Sequence, residues 1–329
     1  MAQPTRGDVH VNKPLTNISI AFMQAASNFV SDTVFPNIPV PNVSDRYYTY
    51  DRGYFNRDEM QERAPGTESA GSGYAVDNTP TYYCKVYAFH HDVPDQVRSN
   101  ADSPVQPDRD ATNLVSQKAL IKREKLWVAR YFQPALWTFD VDGVAGVPGA
   151  GQVLQWNDAS STPIEDIAAA MDLMLEETGF LPNKLIVGRQ VWTALKNHPD
   201  IIDRVKYGQT PGGTAKISLQ ALADLFEVQQ IVVMNAIENT AKEGAANNHA
   251  FIGGKKALLV YAAPSPGLQV PTAGYTFSWS GFLGAGAMGG RIKKFRMEEL
   301  ESDRVEIQMA FDQKLVSADL GYFFDTIVA

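Results

Sequence analysis

In DRYYTYDRGYFNRDEMQERAPGTESAGSGYAVDNTPTYYCKVYAFHH (45–91), the aromatic residues Tyr47, Tyr48, Tyr50, Tyr54, Phe55, Tyr74, Tyr82, Tyr83, Tyr87 and Phe89 crowd into two β-prone runs. Between the runs lies a polar, glycine-rich tip, NRDEMQERAPGTESAGSG (56–73). Two runs of β-formers joined in this way predict an extended hairpin, with arms up to ~36 Å long if about eleven residues rise ~3.3 Å each. An isolated two-stranded hairpin is marginal in water, so its aromatic faces need a third surface. No neighbouring segment of sequence supplies one, and another subunit is the expected source.

On the N-terminal side, residues 1–44 read as an arm. AQPTRGDVHVNKP is polar, then Ile18, Ala21, Phe22, Ala25 and Phe29 recur at helical spacing, and Pro36, Pro39 and Pro41 follow. The prolines remove backbone donors and hold the chain extended. The apolar stripe docks either on another subunit or on its own domain, and the residues leave both open.

On the C-terminal side, Pro104 and Pro107 precede a helix from about Asp110 to Phe132, with Asp108 or Asp110 near its cap, Leu114, Ile121 and Val128 seven apart and Pro134 closing it. At 1.5 Å per residue such a helix spans ~35 Å, a spine rather than an ordinary globular helix. The pattern then alternates. Thr162, Pro163 and Glu165 predict a capping box for a helix running to Gly179, with the stripe Ile164, Ile167, Ala168, Met171, Met174 and Leu175. KLIVG (184–188) and QQIVVMN (229–235) predict buried strands around short helices, which makes 159–273 an α/β unit. From Tyr275 the strand-like runs YTFSWSGF, RIKKFRME, RVEIQMAFDQKLV and GYFFDTIV predict a sheet returning to the spine.

Composition narrows the function. The net charge of −8 argues against a protein that grips phosphates through a basic face. Cys84 is the single cysteine, so no intrachain disulfide and no multi-thiolate metal site can form. No apolar run approaches the roughly 18 residues of a membrane span. GAGAMG (284–289) satisfies GxGxxG, but a basic, β-like run follows where a dinucleotide site needs a helix N-terminus. His90, His91 and Asp92 alternate across a strand and cannot converge on a metal. HPD (198–200) reads as a helix junction, and RGD (6–8) as a chance match. The expectation is a protein without catalytic residues, metal or cofactor.

The order of parts resembles the tailed-bacteriophage major capsid protein family with the Hong Kong 97-type fold, an α+β class. The resemblance covers nearly the whole chain and is carried by KVYAFHHDVPDQVRSNAD (85–102), LPNKLIVGRQVWTALKNHPDIIDRVKY (181–207) and RIKKFRMEELESDRVEIQMAFDQKLVSADLGYFF (291–324). It implies an N-terminal arm at 1–44, an extended loop at 45–91, a peripheral domain at 92–158 with 274–329, and an axial domain at 159–273. The loop YGQTPGGTAK (207–216) is then expected at the capsomer axis. The implied function is a coat protein that assembles with itself into hexamers and pentamers of an icosahedral shell around double-stranded DNA, without sequence-specific binding and with no membrane partner.

Expected interface residues are Phe22, Phe29, Tyr47, Tyr48, Tyr50, Tyr54, Tyr82, Tyr83, Tyr207 and Gln209. Expected partners are a portal, possible decoration proteins and, because the arm is short, a separate scaffolding protein. The expected location is the virion capsid, with assembly in the host cytoplasm. The stretch between Lys13 and Lys85 holds no lysine, so the isopeptide cross-linking of some relatives has no donor in the loop. An encapsulin-type compartment shares the fold and is the nearest alternative; an α/β enzyme built on 159–273 is the more distant one.

Overall fold

A computed structural model describes residues 23–102, 105–207, 217–267, 270–283 and 290–329, without the side chains of 206 and 207. After a 3-10 turn at Ala26–Asn28, the short helix α1 (Ser31–Val34) leads into the strand β1 (Asn37–Val40). Ala25 and Phe29, which flank the turn, are both extended, so the expected helical stripe does not run through them, while Ile18, Ala21 and Phe22 lie outside the described residues. Pro39 explains why β1 sits at an edge: lacking an N–H, it cannot serve a strand paired on both sides. β1 runs parallel to β14 (Gly274–Trp279), and the Pro36 carbonyl accepts the Thr276 N–H at 2.9 Å.

The aromatic loop is shorter in structure than its sequence suggested. It holds two small ladders, β2 (Ser44–Arg46) with β5 (Thr81–Tyr83) and β3 (Thr49–Tyr50) with β4 (Val76–Asp77), together with one helical turn, α2 (Arg52–Phe55). The next strand, β6 (Lys85–Pro94), leaves the loop and pairs antiparallel with β16 (Ser302–Leu315) from Ser302↔Pro94 to Phe311↔Lys85. A continuous long hairpin is thus replaced by short ladders. Two surfaces of the same chain, one around Phe277 and one beneath the spine helix, capture the inward aromatics.

After α3 (Asp95–Ser99), the spine helix α4 (Pro107–Tyr131) starts with Pro107 in its first turn, where the missing N–H costs nothing. Its buried face is Ala111, Val115, Ala119, Arg123, Glu124, Trp127 and Tyr131. Leu114, expected in that stripe, lies on the outside, 38% exposed. The floor beneath α4 is the sheet β1-β14-β16-β15, where β15 is Gly290–Met297 and β6 pairs with β16 on its other side. Along β16, Val305, Met309 and Phe311 point to the helix, as a period of two requires: Val305 packs with Ala111 and Val115, Met309 and Phe311 with Ala119.

A second sheet runs in the order β10-β9-β13-β17-β7-β8, from β7 (Phe139–Val144), β8 (Gln152–Leu154), β9 (Lys184–Gly188), β10 (Gln230–Met234), β13 (Ala257–Val260) and β17 (Gly321–Asp325). The hairpin β11 (Ile237–Asn239) with β12 (His249–Phe251) stands apart from it. The central strands β9 and β13 are buried on both faces, which is why they read as continuous apolar runs, whereas β7 alternates buried and exposed positions. Leu185, Val187, Leu259 and Phe324 face one core, against α5 (Pro163–Thr178) and α6 (Arg189–Lys196). Ile186, Leu258, Val260 and Phe323 face the other, against Trp127, Phe132 and the arm residues Val30, Val34 and Phe35. The arm from Val30 onward therefore docks on its own chain. β7, β8 and β17, expected in the peripheral domain, share this sheet with β9, β10 and β13, expected in the axial one, joined through the antiparallel β17–β13 pairing, so divisions at 158/159 and 273/274 pass through a single sheet.

Two local expectations about α5 fail. Thr162 caps no backbone N–H; its hydroxyl reaches Asp166 at 3.4 Å, and Glu165 is drawn instead to Arg204, so no capping box forms. Leu175 turns outward, 41% exposed, away from the stripe Ile164, Ile167, Met171 and Met174. The helix does end at Gly179, whose φ of 77° suits glycine.

Candidate inter-subunit surface

The loop's aromatics divide by strand parity. On β5 the middle residue, Tyr82, is buried and stacks on Phe277 at 4.5 Å with an interplanar angle of 12°, while Tyr83 beside it faces out, 56% exposed. Tyr47 packs on the same Phe277 at 5.5 Å, and Tyr48 next to it is 60% exposed. Tyr50 joins a ring cluster with Phe55 at 6.2 Å and Tyr74 at 6.0 Å. Of the expected contact residues, Tyr47 and Tyr82 therefore anchor the loop to its own chain, Tyr50 is half-buried within the loop, and Tyr48, Tyr54 and Tyr83 project outward. Phe29 is half-buried beside the 3-10 turn. Phe22, Gln209 and the Tyr207 side chain lie outside the described residues.

Polar contacts hold the loop's base. The Asp51 carboxylate accepts the Gly53 N–H at 2.8 Å and caps α2. Arg52 forms ion pairs with Glu177 at 3.2 Å and Asp319 at 2.8 Å. The Tyr83 N–H donates to Asp312 at 3.0 Å, and the Cys84 N–H donates to the Val43 carbonyl at 2.8 Å. The Cys84 thiol is buried and donates to the Phe277 carbonyl. Burial, helped by the nearby Asp312 charge, pushes it up to about 12, so it stays protonated and unreactive at neutral pH.

Further apolar residues are exposed on the loop and elsewhere. Met60 at the loop tip, Phe55, Tyr74 and Val76 extend the loop's surface. Leu173, Leu175, Phe180 and Leu181 are also exposed, near the end of α5. Phe55 and Tyr74 were visible in the sequence as aromatics of the loop. The α5 residues were not, because their spacing blends into a helical stripe.

At the far end of the spine, charged side chains interlock α3, α4, β15 and β16. Arg98 meets Asp95, Asp108 and Asp303, Lys294 meets Asp108 and Asp303, and Arg296 meets Asp95 and Asp303. Arg304 grips Asp92 through two bonds of 2.7 and 2.8 Å. The bonds from Arg304 hold the Asp92 carboxyl below its ordinary 3.8 despite partial burial, and those from Arg296 do the same for Asp95. A carboxyl lowered on folding adds stability that is fully present above its unfolded value and is lost as pH falls through the folded one. Thermal stability should therefore drop as pH is taken from 5 to 3, and Arg304→Gln should flatten that drop. Equal slopes in parallel melting series would show that the pair contributes nothing.

The structure also brings Ser161 to His198, a pairing the sequence did not flag. His198 is buried, with Nε2 at 3.1 Å from both the Ser161 hydroxyl and the Asp158 carbonyl, and its Nδ1 accepts the Asp200 N–H at 3.3 Å. With Nδ1 accepting, Nε2 carries the proton and cannot take one from Ser161, whose hydroxyl donates to the Asp158 carbonyl at 2.7 Å. The pair fastens the start of α7 (Pro199–Tyr207) to the loop before α5. Among the described residues no group of His, Cys, Asp and Glu could hold a metal ion, and no helix is long and apolar enough to cross a membrane.

Residues 153–273 match the family model described as phage major capsid protein E. The chain is 25% identical, over 97% of both lengths, to the major capsid protein of Pseudomonas phage JBD67. Its fold is similar to that of a phage-related protein from Bordetella bronchiseptica RB50, with a TM-score of 0.67, 21% identity, and coverage of 92% of this chain and 93% of that one. It is also similar to the capsid structure of the cyanophage P-SCSP1u, with a TM-score of 0.58, 11% identity and coverage of 97% and 93%.

Proposed function

We infer the working assembly of this protein from one premise: the chain belongs to the phage major capsid protein family and carries its Hong Kong 97-type fold. It is a structural coat protein of the virion and not an enzyme, and its copies assemble into a shell. The finer reading is that the shell is icosahedral, made of hexamers and pentamers, and encloses double-stranded DNA without reading its sequence. The net charge of −8 supports this, since an acidic protein leaves a packaged polyanion unbound.

The observation that carries the reading is the outward row of Tyr48, Phe55, Met60, Tyr74 and Tyr83 on a loop whose inner residues are already spent on Phe277. Such a row is stabilised only when another copy covers it. In this reading 1–44 is the arm, 45–91 the extended loop, 92–158 with 274–329 the peripheral part and 159–273 the axial part, the last two joined through their common sheet. Phe22, Phe29, Tyr54, Tyr207 and Gln209 complete the proposed contacts, with 207–216 at the capsomer axis. A scaffolding protein and a portal serve assembly in the host cytoplasm, and a decoration protein has an exposed surface to bind.

The test is electron microscopy with light scattering on purified protein. Closed particles of uniform size support the reading, and a folded monomer or dimer under native salt overturns it. The shell should also be non-covalent, because no lysine lies between Lys13 and Lys85 and Cys84 is buried. Particles boiled in detergent and reductant should run as one band near 36.1 kDa, and a ladder of cross-linked oligomers would refute this.

A further inference from the structure

Where β6 lies against α4, lysines gather on a chain whose overall charge is −8. On β6, Lys85, Tyr87 and Phe89 share one face by the two-residue period, and Tyr87 and Phe89 turn that face toward the spine. On α4, Lys118 and Lys122 stand one turn apart on the flank that meets it: Lys118 lines a cleft with Phe89, and the Lys122 ammonium sits 5.6 Å from the centroid of the Tyr87 ring. Lys85, Lys118 and Lys122 are all exposed. Among the described residues none of them meets a carboxylate, whereas Lys125 is taken by Glu238, and Lys256, Lys294 and Lys314 are held by aspartates. The cleft itself also holds Asp92, Asp110, Glu243 and Lys242, so the surplus of positive charge lies along the seam and not in the cleft. The opposite sign is concentrated on α5, where Glu165, Asp166, Asp172, Glu176 and Glu177 occur without a lysine or arginine.

A cationic row that its own chain does not neutralise favours an anionic polymer. Lysines are compact charges on flexible stems and meet phosphate oxygens from many directions, whereas geometric recognition of a carboxylate calls for the arginine fork. Contacts to phosphate position a duplex without reading its bases. With about three phosphates neutralised, the hold of one subunit is shallow and falls steeply with salt. The seam is thus a local exception to the acidic average of the chain, too small to grip the polymer but large enough to decide which side faces it.

We propose that the seam between β6 and α4, through Lys85, Lys118 and Lys122, is the surface that this subunit turns to the phosphate backbone of double-stranded DNA. The inference rests on the reading that the shell encloses DNA, and adds to it the side of the subunit that meets the polymer.

The test is lysine acetylation of the full-length protein with and without a short DNA duplex, read residue by residue by mass spectrometry. At about 50 mM salt the duplex should slow acetylation of Lys118 and Lys122 about fivefold relative to Lys196, which is exposed on α6, and at about 200 mM the protection should be lost. Duplexes of unrelated sequence should protect equally. Absence of protection at the lower salt, or equal protection of Lys196, overturns the proposal. So does stronger protection by poly-glutamate than by DNA, which would assign the seam to an acidic protein. Independently, Lys118→Gln with Lys122→Gln should keep the circular dichroism of wild type and reduce the slope of log K against log salt by about 1.8. An unchanged slope would also overturn it. Closed wild-type particles with an unprotected seam would sink this inference and leave the shell reading standing, whereas failure of the shell reading shows as the absence of such particles in micrographs.

Discussion

Particles should fail to assemble when Tyr48, Phe55 and Tyr83 are replaced together by Ser, although the subunit keeps its fold. Tyr48, Phe55 and Tyr83 are all more than half exposed in the single chain, and Phe55 meets the loop rings Tyr50 and Tyr74, so their removal disturbs no core. Exposed substitutions of this kind usually shift stability by about 0.5 kcal/mol or less. In an interface the same aromatics are anchors, each costing about 2 kcal/mol or more when truncated, and the loss recurs at every subunit contact. Circular dichroism should match wild type while particle yield falls to background. Phe277→Ala is the contrasting variant: it removes the ring that Tyr47 and Tyr82 stack on and should destabilise the subunit itself by about 3–5 kcal/mol. Normal particles from the triple variant would remove the loop from the interface.

The second large effect is expected at Glu124→Leu. Glu124 lies fully buried on the spine, and its carboxylate accepts the N–H groups of Val30 at 3.0 Å and Ser31 at 2.9 Å, while the adjacent Arg123 pairs with Asp32. These contacts hold the first turn of α1, whose Val34 and the following Phe35 fill the core around Trp127. Burial raises the Glu124 carboxyl above its usual range, opposed by those two backbone donors. Leucine fills the space but leaves two buried donors unsatisfied, at about 1–3 kcal/mol each. A loss of about 2–6 kcal/mol is a large share of a typical domain's stability. Glu124→Gln, which retains one accepting oxygen, should lose less. Urea midpoints rank the three proteins, and a Leu variant as stable as wild type would show that the arm is not held at this point.

Much of the architecture can be read without coordinates because it follows from local chemistry. Pro107 and the periodic residues after it specify a long helix, observed at Pro107–Tyr131. KLIVG, apolar at nearly every position, specifies a strand buried on both faces, and the structure shares Leu185 and Val187 with one core and Ile186 with the other. Ser218 predicts a helix start, and its hydroxyl does accept the Ala221 N–H at 3.1 Å. The order of these parts was sufficient for the family resemblance.

Contacts between distant segments were not legible. Tyr82 and Tyr83 are the same residue type, and only the presence of Phe277, almost two hundred positions along, separates an internal anchor from an outward face. Arg123 and Glu124 lie in the charged run KREK (122–125), yet both are buried because the arm's N–H groups and Asp32 return to meet them. Period and propensity act over a few residues and so survive in the sequence, whereas the partner of a side chain depends on which surfaces the chain brings together. The sequence by itself determined the elements, their order and the surplus of aromatics in the loop. Tertiary structure alone decided which of those aromatics its own sheet consumes and which stay exposed, because burial is a property of the packed chain.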